Sequence, residues 1–572
     1  MVKRIVVVGG VAAGASAAAK ARRTSEDIEV VLLEAGPYIS FANCGLPYWL
    51  GGEIAQRDAL LVMTDAAFAR RFAVDVRVNT AATAIDRRQR RLTVRGGGGR
   101  EEQIVYDRLI LATGGSAVRP PIKGLDRDDV FFLRTIPDVE AARQCIDRKG
   151  AAAAGRALRA LVVGGGYIGL EAAEQLSRRG LKVTVVEMAD QLMLALDREM
   201  AYPLQEALGK LGCEVLLGQA VAEIVQRGDG AVALTAGGRE VPFDVAVVAV
   251  GVKPNVELAQ AAGLALGQTG AIKVDRYQRT SDALIYAAGD NSQVPHAVLG
   301  RSVNIPLAGV ANKAGRVAGA NAALDLMGVS DEDNRRMHLA GVLGTAIVRV
   351  GETSAAVTGL TEASAGREGI ETAVTYMIGT QHAGYYPGAK RLLVKLVYSP
   401  GDGRVLGAQA VGGEGVDKRI DVLATAILGG LAVEDLEHLD LCYAPPFGLA
   451  KDVVVLAGFA AANTRRGWMP AITPAELLKE LAGPNPPAVL DVRTAKEYTA
   501  GHMEGAIHIP IDELRARIDE VPRDRDIVVH CGAGYRSYLA QRILMNRGFA
   551  KVRNILGGYG LIQQVRKAQG KG

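Results

Sequence analysis

Two stretches of this chain constrain its fold more than any others: "KRIVVVGGVAAGASAAAKARR", residues 3–23, and "RALVVGGGYIGLEAAEQLSRRGLKVTVVEMAD", residues 159–190. Each reads as an apolar strand, a glycine turn and a helix, and in each the next strand ends in an acid, Glu34 or Glu187. Such a turn presents backbone N–H groups and a helix N-terminus to a pyrophosphate, while the acid holds a ribose. In the first copy Gly9 and Gly14 keep the spacing, Val11 replaces the middle glycine, and Ala12 joins them as a nucleotide-contact candidate. The second copy has Gly164, Gly166 and Gly169 in full register. One GxGxxG in a glycine-rich protein is weak evidence. Two copies, each closed by an acid, predict two Rossmann-like α/β domains that bind nucleotides rather than a doubly wound fold without them.

The 572 residues suffice for three or four domains, and 69 glycines with 49% hydrophobic residues suit a globular α/β protein. A net charge of +5 argues against a general nucleic-acid binder and leaves room for a local basic pocket for a phosphorylated ligand. The basic, apolar start resembles a signal peptide, but its apolar run is a short strand entering a glycine turn. No apolar run approaches the ~18 residues of a membrane span, so no membrane partner is expected. Five cysteines, at 44, 145, 213, 442 and 531, lack metal-ligand or disulfide spacing, which predicts no metal and a reducing, cytoplasmic setting.

"YDRLILATGGSAVRPP" and "TSDALIYAAGD" also read as strands running into small residues. With the two fingerprints they resemble the pyridine nucleotide–disulfide oxidoreductase family over residues 1 to about 460. The resemblance implies FAD at the first fingerprint, NAD(P)H at the second, and Asp290 at the flavin's ribityl–phosphate region. It also implies a FAD-binding domain over 1–120 and 247–325, a NAD-binding domain over 121–246, an α+β dimerisation domain over 326–460, and a homodimer. A carboxylate at Glu187 accepts hydrogen bonds from a free ribose 2′-OH and repels a 2′-phosphate, which favours NADH over NADPH. Arg178, Arg179 and Lys182 lie near enough in sequence to soften that preference.

"SFANCGLPYWLGG", residues 40–52, holds a solitary cysteine, Cys44; Trp49 stands five residues on, where a disulfide reductase would usually carry its second thiol. This segment resembles the coenzyme A disulfide reductases, which keep one redox cysteine. The sulfur bonded to Cys44 must then come from a substrate: a disulfide, a persulfide or polysulfide, or oxygen through a sulfenic acid. A flavin face and a helix N-terminus are expected to favour its thiolate. The alternative for any isolated cysteine is an inert buried thiol, the reading given to Cys145, Cys213 and Cys442. By resemblance, Arg23, Ser40, Asn43 and Lys451 are coenzyme A contacts. Lys20 and Asn312 replace other polar residues at such contacts, and Arg71 is a further candidate. Tyr443 in "LCYAPPFGLAKD" and Tyr385 in "HAGYYPGAK" match the two tyrosines that approach the redox cysteine from the dimer partner.

Beyond "AGPNPPA" the chain changes character. "DVRTAKEYTAGHMEGAIHIP" and "IVVHCGAGYRSYLAQRILMNRGF" resemble a rhodanese domain over 473–567. Its loop is expected to point N–H groups at Cys531 and to stabilise a thiolate or persulfide, with Arg536 adding positive charge. Together these features imply an NADH-dependent flavoprotein reductase of coenzyme A persulfide or polysulfide, with coenzyme A as substrate or resident cofactor. The alternatives are a coenzyme A disulfide reductase, an NADH oxidase cycling through Cys44 sulfenic acid, and a sulfur-trafficking protein whose flavin half is a docking scaffold.

Overall fold

The computed structural model describes residues 2–153, 155–228 and 230–570. The chain divides into two compact units, Met1–Asp190 with Leu211–Gly344, and Gln191–Lys210 with Thr345–Gly572.

The first unit contains two parallel sheets. Arg4–Val8 pairs with Glu29–Leu33 on one side and Arg108–Leu111 on the other, and Ile285–Ala287 and Asp75–Arg77 complete five strands. The run "IVVV" is buried almost throughout, as a central parallel strand covered on both faces requires. The alanine-rich helices Ala12–Thr24 and Ala308–Leu326 pack closely against each other. The second sheet has the same plan: Arg159–Val163 lies between Lys182–Val186 and Val245–Val248, with Glu214–Leu216 and Val130–Phe131 at its edges. Val245–Val248 runs across the boundary expected at 246, because its pairing with Arg159–Val163 ties it to the second sheet. A three-stranded antiparallel sheet accompanies each parallel one.

The second unit joins an antiparallel sheet to a smaller parallel one. The antiparallel order is Ala346–Val350, Thr353–Gly359, Val405–Gly412, Arg391–Tyr398 and Ala373–Thr380, with helices Val416–Leu428 and Val453–Arg465 packed against it. The parallel sheet runs Ala471–Ile472, Val552–Ile555, Ile527–His530, Ala488–Asp491 and Ile507–His508. Two-residue edge strands leave little unpaired backbone exposed.

Residues 191–210 lie inside the segment expected for NAD binding, yet they pack in the second unit. The buried apolar face of Arg198–Lys210, with Met200, Leu204 and Leu208, packs there, and an ion cluster joins it. Lys395, fully buried on Arg391–Tyr398, places its Nζ 2.8 Å from Asp197, 2.7 Å from Glu199 and 2.7 Å from Glu362. Burial acts to lower the lysine pKa, but Tyr376 and the three carboxylates outweigh it and keep the ammonium charged. The three acids are close enough together to hold a metal ion, and the ammonium is the cation they enclose. The helix Arg198–Lys210 also meets Gly558–Ala568, where Gln564 donates 2.6 Å to the Glu199 carbonyl.

Replacing Lys395 with Met leaves the buried Asp197 carboxylate without its cation, a loss of about 3–5 kcal/mol. K395M is expected to lower the urea midpoint of the second unit and to speed amide exchange over 191–210. Unchanged exchange there would contradict this account of the excursion.

Candidate active sites

The two fingerprint turns share one construction. Gly9 and Gly164 have φ of +101° and +107°, and a Cβ on either would lie 2.1 or 2.5 Å from the carbonyl oxygen of Ala112 or Ala249. Both the conformation and the close approach of the next strand require glycine. A Cβ on Gly166 would meet nothing within 4 Å, which leaves room for a ligand at the start of Tyr167–Arg178. The closing acids also brace their own turns: Glu34 accepts from Gly10 N–H at 2.7 Å and Gly36 N–H at 2.7 Å. Glu187 accepts from Gly165 N–H at 2.6 Å and Ala189 N–H at 2.8 Å. An ionised carboxylate has about four acceptor positions, so each can still receive ribose hydroxyls. Arg178 is paired with Glu53 and Glu174, and Arg179 with Asp147; these guanidinium groups are engaged by acids elsewhere on the domain.

A cleft of about 480 Å³ opens above the first turn, lined by Gly9, Ala12, Glu34, Cys44, Arg134 and Asp290. This volume lies within the ~300–1,000 Å³ typical of ligand sites. Arg134 crosses it, donating to Asp290 at 2.8 Å and to the Gly115 carbonyl at 2.8 Å, while Asn43 donates to the Arg134 carbonyl at 3.2 Å. Cys44 sits in the one-turn helix Asn43–Gly45, exposed to the cleft and free of any disulfide. The protein's own groups push this thiol up, first by crowding from the cleft walls and then by the Glu171 carboxylate, with Arg134 opposing. Glu171 projects from Tyr167–Arg178 and accepts a hydrogen bond from Tyr48 O–H at 3.1 Å. Burial raises its pKa to about 7, the Tyr48 hydrogen bond pulls it down, and nearby Glu174 pushes it further up.

The coenzyme A candidates divide between the units. Lys20 and Arg23 lie on Ala12–Thr24, and Asn312, on Ala308–Leu326, is 2.6 Å from Ser16 Oγ. The Lys20 pKa is lowered by burial and then by Arg316 and Arg23, so three cations share one region, a setting that suits a multiply charged anion. Arg316 escaped the sequence reading, although it lies four residues after Asn312 and so shares its helix face. Arg71 is exposed on Asp65–Phe72, a helix tied to the first by Arg22, whose Nε donates to the Phe72 carbonyl at 3.1 Å. Ser40 lies beside the first turn, its N–H donating to the Gly10 carbonyl at 2.9 Å, and holds φ at +46°. Lys451 belongs to the second unit, exposed just before Val453–Arg465.

Tyr385 and Tyr443 also lie in the second unit, with their hydroxyls 3.1 Å apart. Tyr386 instead packs edge-on against His382, so the geometry pairs Tyr443 with Tyr385. Cys442 is a correction. It was expected to be structural but is exposed in the loop beside Tyr443, where "YAPP" provides no regular element to cover it.

In the C-terminal loop Gly534 N–H points at Cys531 Sγ from 3.1 Å, and the buried Ser537 hydroxyl lies 3.4 Å away. Ser537, absent from the sequence reading, is marked by its position as the next residue after Arg536 on Tyr535–Asn546. Arg536, expected to add positive charge, also makes a bidentate pair with Glu497 at 2.7 and 2.7 Å. Asp491 and Arg493 form a buried pair at 2.6 Å, and His502 stacks on Tyr498; both have structural roles.

The comparisons with known proteins agree with this architecture. The family model "Pyridine nucleotide-disulphide oxidoreductase" matches residues 3–315, its dimerisation domain 345–452, and a "Rhodanese-like domain" 473–564. The chain therefore belongs to the pyridine nucleotide-disulphide oxidoreductases. Among solved structures it is similar to reduced Bacillus anthracis CoADR-RHD, at 40% identity and TM-score 0.93, covering 99% of each chain. It is also similar to an NAD-dependent persulfide reductase from A. fulgidus, at 40% identity and TM-score 0.88, covering 98% of this chain and 99% of that one. A Pyrococcus horikoshii NAD(P)H coenzyme A polysulfide/persulfide reductase is 32% identical over 80% of this chain and 98% of its own length.

Glu171 provides a pH test at Cys44. As pH rises through about 7 its carboxyl ionises and opposes formation of the thiolate. In E171Q the midpoint for Cys44 alkylation in the flavin-loaded protein is expected to move to lower pH. An unchanged or higher midpoint would remove Glu171 from the thiol's environment.

Proposed function

We propose that this chain is an NADH-dependent reductase of coenzyme A persulfide and polysulfide sulfur, supplied with sulfane sulfur through Cys531. The observation that carries the reading is a free Cys44 facing a nucleotide cleft, on a chain that also holds a second cysteine cradled for sulfur. Reduction of a disulfide alone would leave Cys531 without a task.

The first turn, Glu34 and Asp290 fit a dinucleotide such as FAD, and the Gly164–Gly169 turn with Glu187 fits NADH. When bound, the flavin supplies a two-electron path between nicotinamide and sulfur. The chain's own residues do the rest. Cys44 attacks a persulfide sulfur, the donor S–S bond breaks, and the departing thiolate takes the bonding electron pair. The sulfur kept on Cys44 is then reductively released. Overall, one NADH and one proton convert one coenzyme A persulfide into the thiol and hydrogen sulfide. Arg134 holds positive charge beside the reacting sulfur. Lys20, Arg23 and Arg316 receive the phosphates of coenzyme A. Tyr385 and Tyr443 act as a hydroxyl pair that protonates the leaving thiolate, reaching Cys44 of a second copy in a homodimer. Five free thiols fit a reducing cytoplasm.

Turnover of the holoenzyme with different acceptors tests the proposal. Sulfide release with coenzyme A persulfide is expected to match NADH loss and to exceed coenzyme A disulfide or oxygen reduction by about tenfold in kcat/KM, a ~1.4 kcal/mol preference. Equal or faster turnover of the disulfide would make this a coenzyme A disulfide reductase. C531S is expected to retain reduction of coenzyme A persulfide and to lose turnover with donors that need sulfur handed over. Loss with every acceptor, at normal flavin content, would mean obligatory relay through Cys531.

A further inference from the structure

The charged side chains at the Cys531 loop cancel. Gly534 N–H points at the cysteine sulfur, while the Ser537 hydroxyl, 3.4 Å from that sulfur, also donates to the Gly534 carbonyl at 2.9 Å. Arg536 is the loop's one basic residue, and its two terminal nitrogens are both engaged by Glu497. The pair lies across Gly532, where a Cβ would stand 3.3 Å from Arg536 Nη2 and 3.4 Å from Glu497 Oε1. Glu497 is pushed down to about 2, first by its hydrogen bond from Arg536 and also by hydrogen bonds from Thr494, so it is ionised at any working pH. Arg536 responds mainly to Glu497 and more weakly to the Cys531 sulfur, which puts guanidinium and carboxylate together beside the reacting atom. Behind the loop His530 is buried, its pKa lowered to about 4 by burial, and therefore neutral. Arg493 is paired with Asp491.

We propose that the Glu497–Arg536 pair sets the donor specificity of this loop, admitting alkyl persulfides and polysulfides and discriminating against thiosulfate. With any of these donors the Cys531 thiolate attacks a sulfane sulfur and the donor S–S bond breaks. Cys531 keeps the sulfur as a persulfide, and the electron pair departs on the leaving group; no external oxidant or reductant is consumed. The donors differ in that leaving group. An alkyl thiolate carries one charge on one sulfur, and its remainder can extend out of the loop. Thiosulfate carries two charges, and its sulfonate oxygens leave as sulfite, so it gains more than an alkyl persulfide from an unpaired cation beside the loop. Here the guanidinium is already paired, and the Glu497 carboxylate repels the incoming dianion.

The inference rests on Cys531 as a sulfur acceptor and not on the chemistry at Cys44. It is tested without NADH on the full-length holoprotein, measuring sulfur transfer to cyanide from thiosulfate and from glutathione persulfide. The wild type is expected to prefer the persulfide by about a hundredfold in kcat/KM, or ~2.7 kcal/mol. E497Q frees Arg536 while keeping an acceptor for the Thr494 cap, since glutamine serves a capping box. The thiosulfate-to-persulfide ratio is expected to rise about tenfold, mainly through a lower KM for thiosulfate, and the gain is expected to shrink as salt screens the freed charge. General damage to the loop would depress both donors together. A wild type that uses thiosulfate as well as persulfide overturns the proposal, with no variant needed. So does an unchanged ratio in a folded E497Q.

Discussion

A reactive sulfur facing a nucleotide cleft without a disulfide partner can exchange bonds only with a molecule brought to it. Cys44 is in that position, and much of the first unit serves it. Arg134 ties Asp290 to Gly115 across the cleft and opposes the anionic influence of Glu171 on the thiol. Glu171 comes from the helix of the other nucleotide turn, so the thiol and the proposed nicotinamide site share an electrostatic neighbour. The carboxylates of Glu34 and Glu187 hold the backbone of both turns in place.

The second unit gathers its charge around the buried Lys395. Lys395, with Glu362, binds Asp197 and Glu199 of residues 191–210, which leave the nucleotide-binding part of the chain. The same helix carries the contact from Gln564, which joins the C-terminal domain to the antiparallel sheet's own unit. Around Cys531 the pattern differs again: the Gly534 N–H points at the sulfur, and Arg536 is paired with Glu497. One cysteine thus lies open to a cleft suited to large phosphorylated ligands, and the other is buried in a small, nearly neutral loop.

The features legible in the sequence are local ones. Both fingerprints, the lone Cys44 and the CGAGYR loop are short runs whose backbone chemistry is set by neighbours in sequence, and each folds as read. What escaped depends on residues that meet only in three dimensions. Glu171 lies 123 positions from Tyr48, and Glu497 lies 39 from Arg536. No spacing rule joins either pair. The Arg536 charge is legible in the sequence and its Glu497 partner is not, because that partner comes from a different helix. The excursion of 191–210 was hidden for the same reason, since Asp197 and Glu199 look like ordinary surface acids until Lys395 is placed beside them.

The central claim is that sulfur is reduced while bonded to Cys44. Its most direct test is NADH-driven sulfide release from coenzyme A persulfide by C44S, measured beside the flavin content of the purified protein. A serine oxygen cannot form the sulfur–sulfur bond that must be broken, so the account predicts no sulfide above background from a protein that still binds FAD and is bleached by NADH. Full sulfide release by that variant would contradict it.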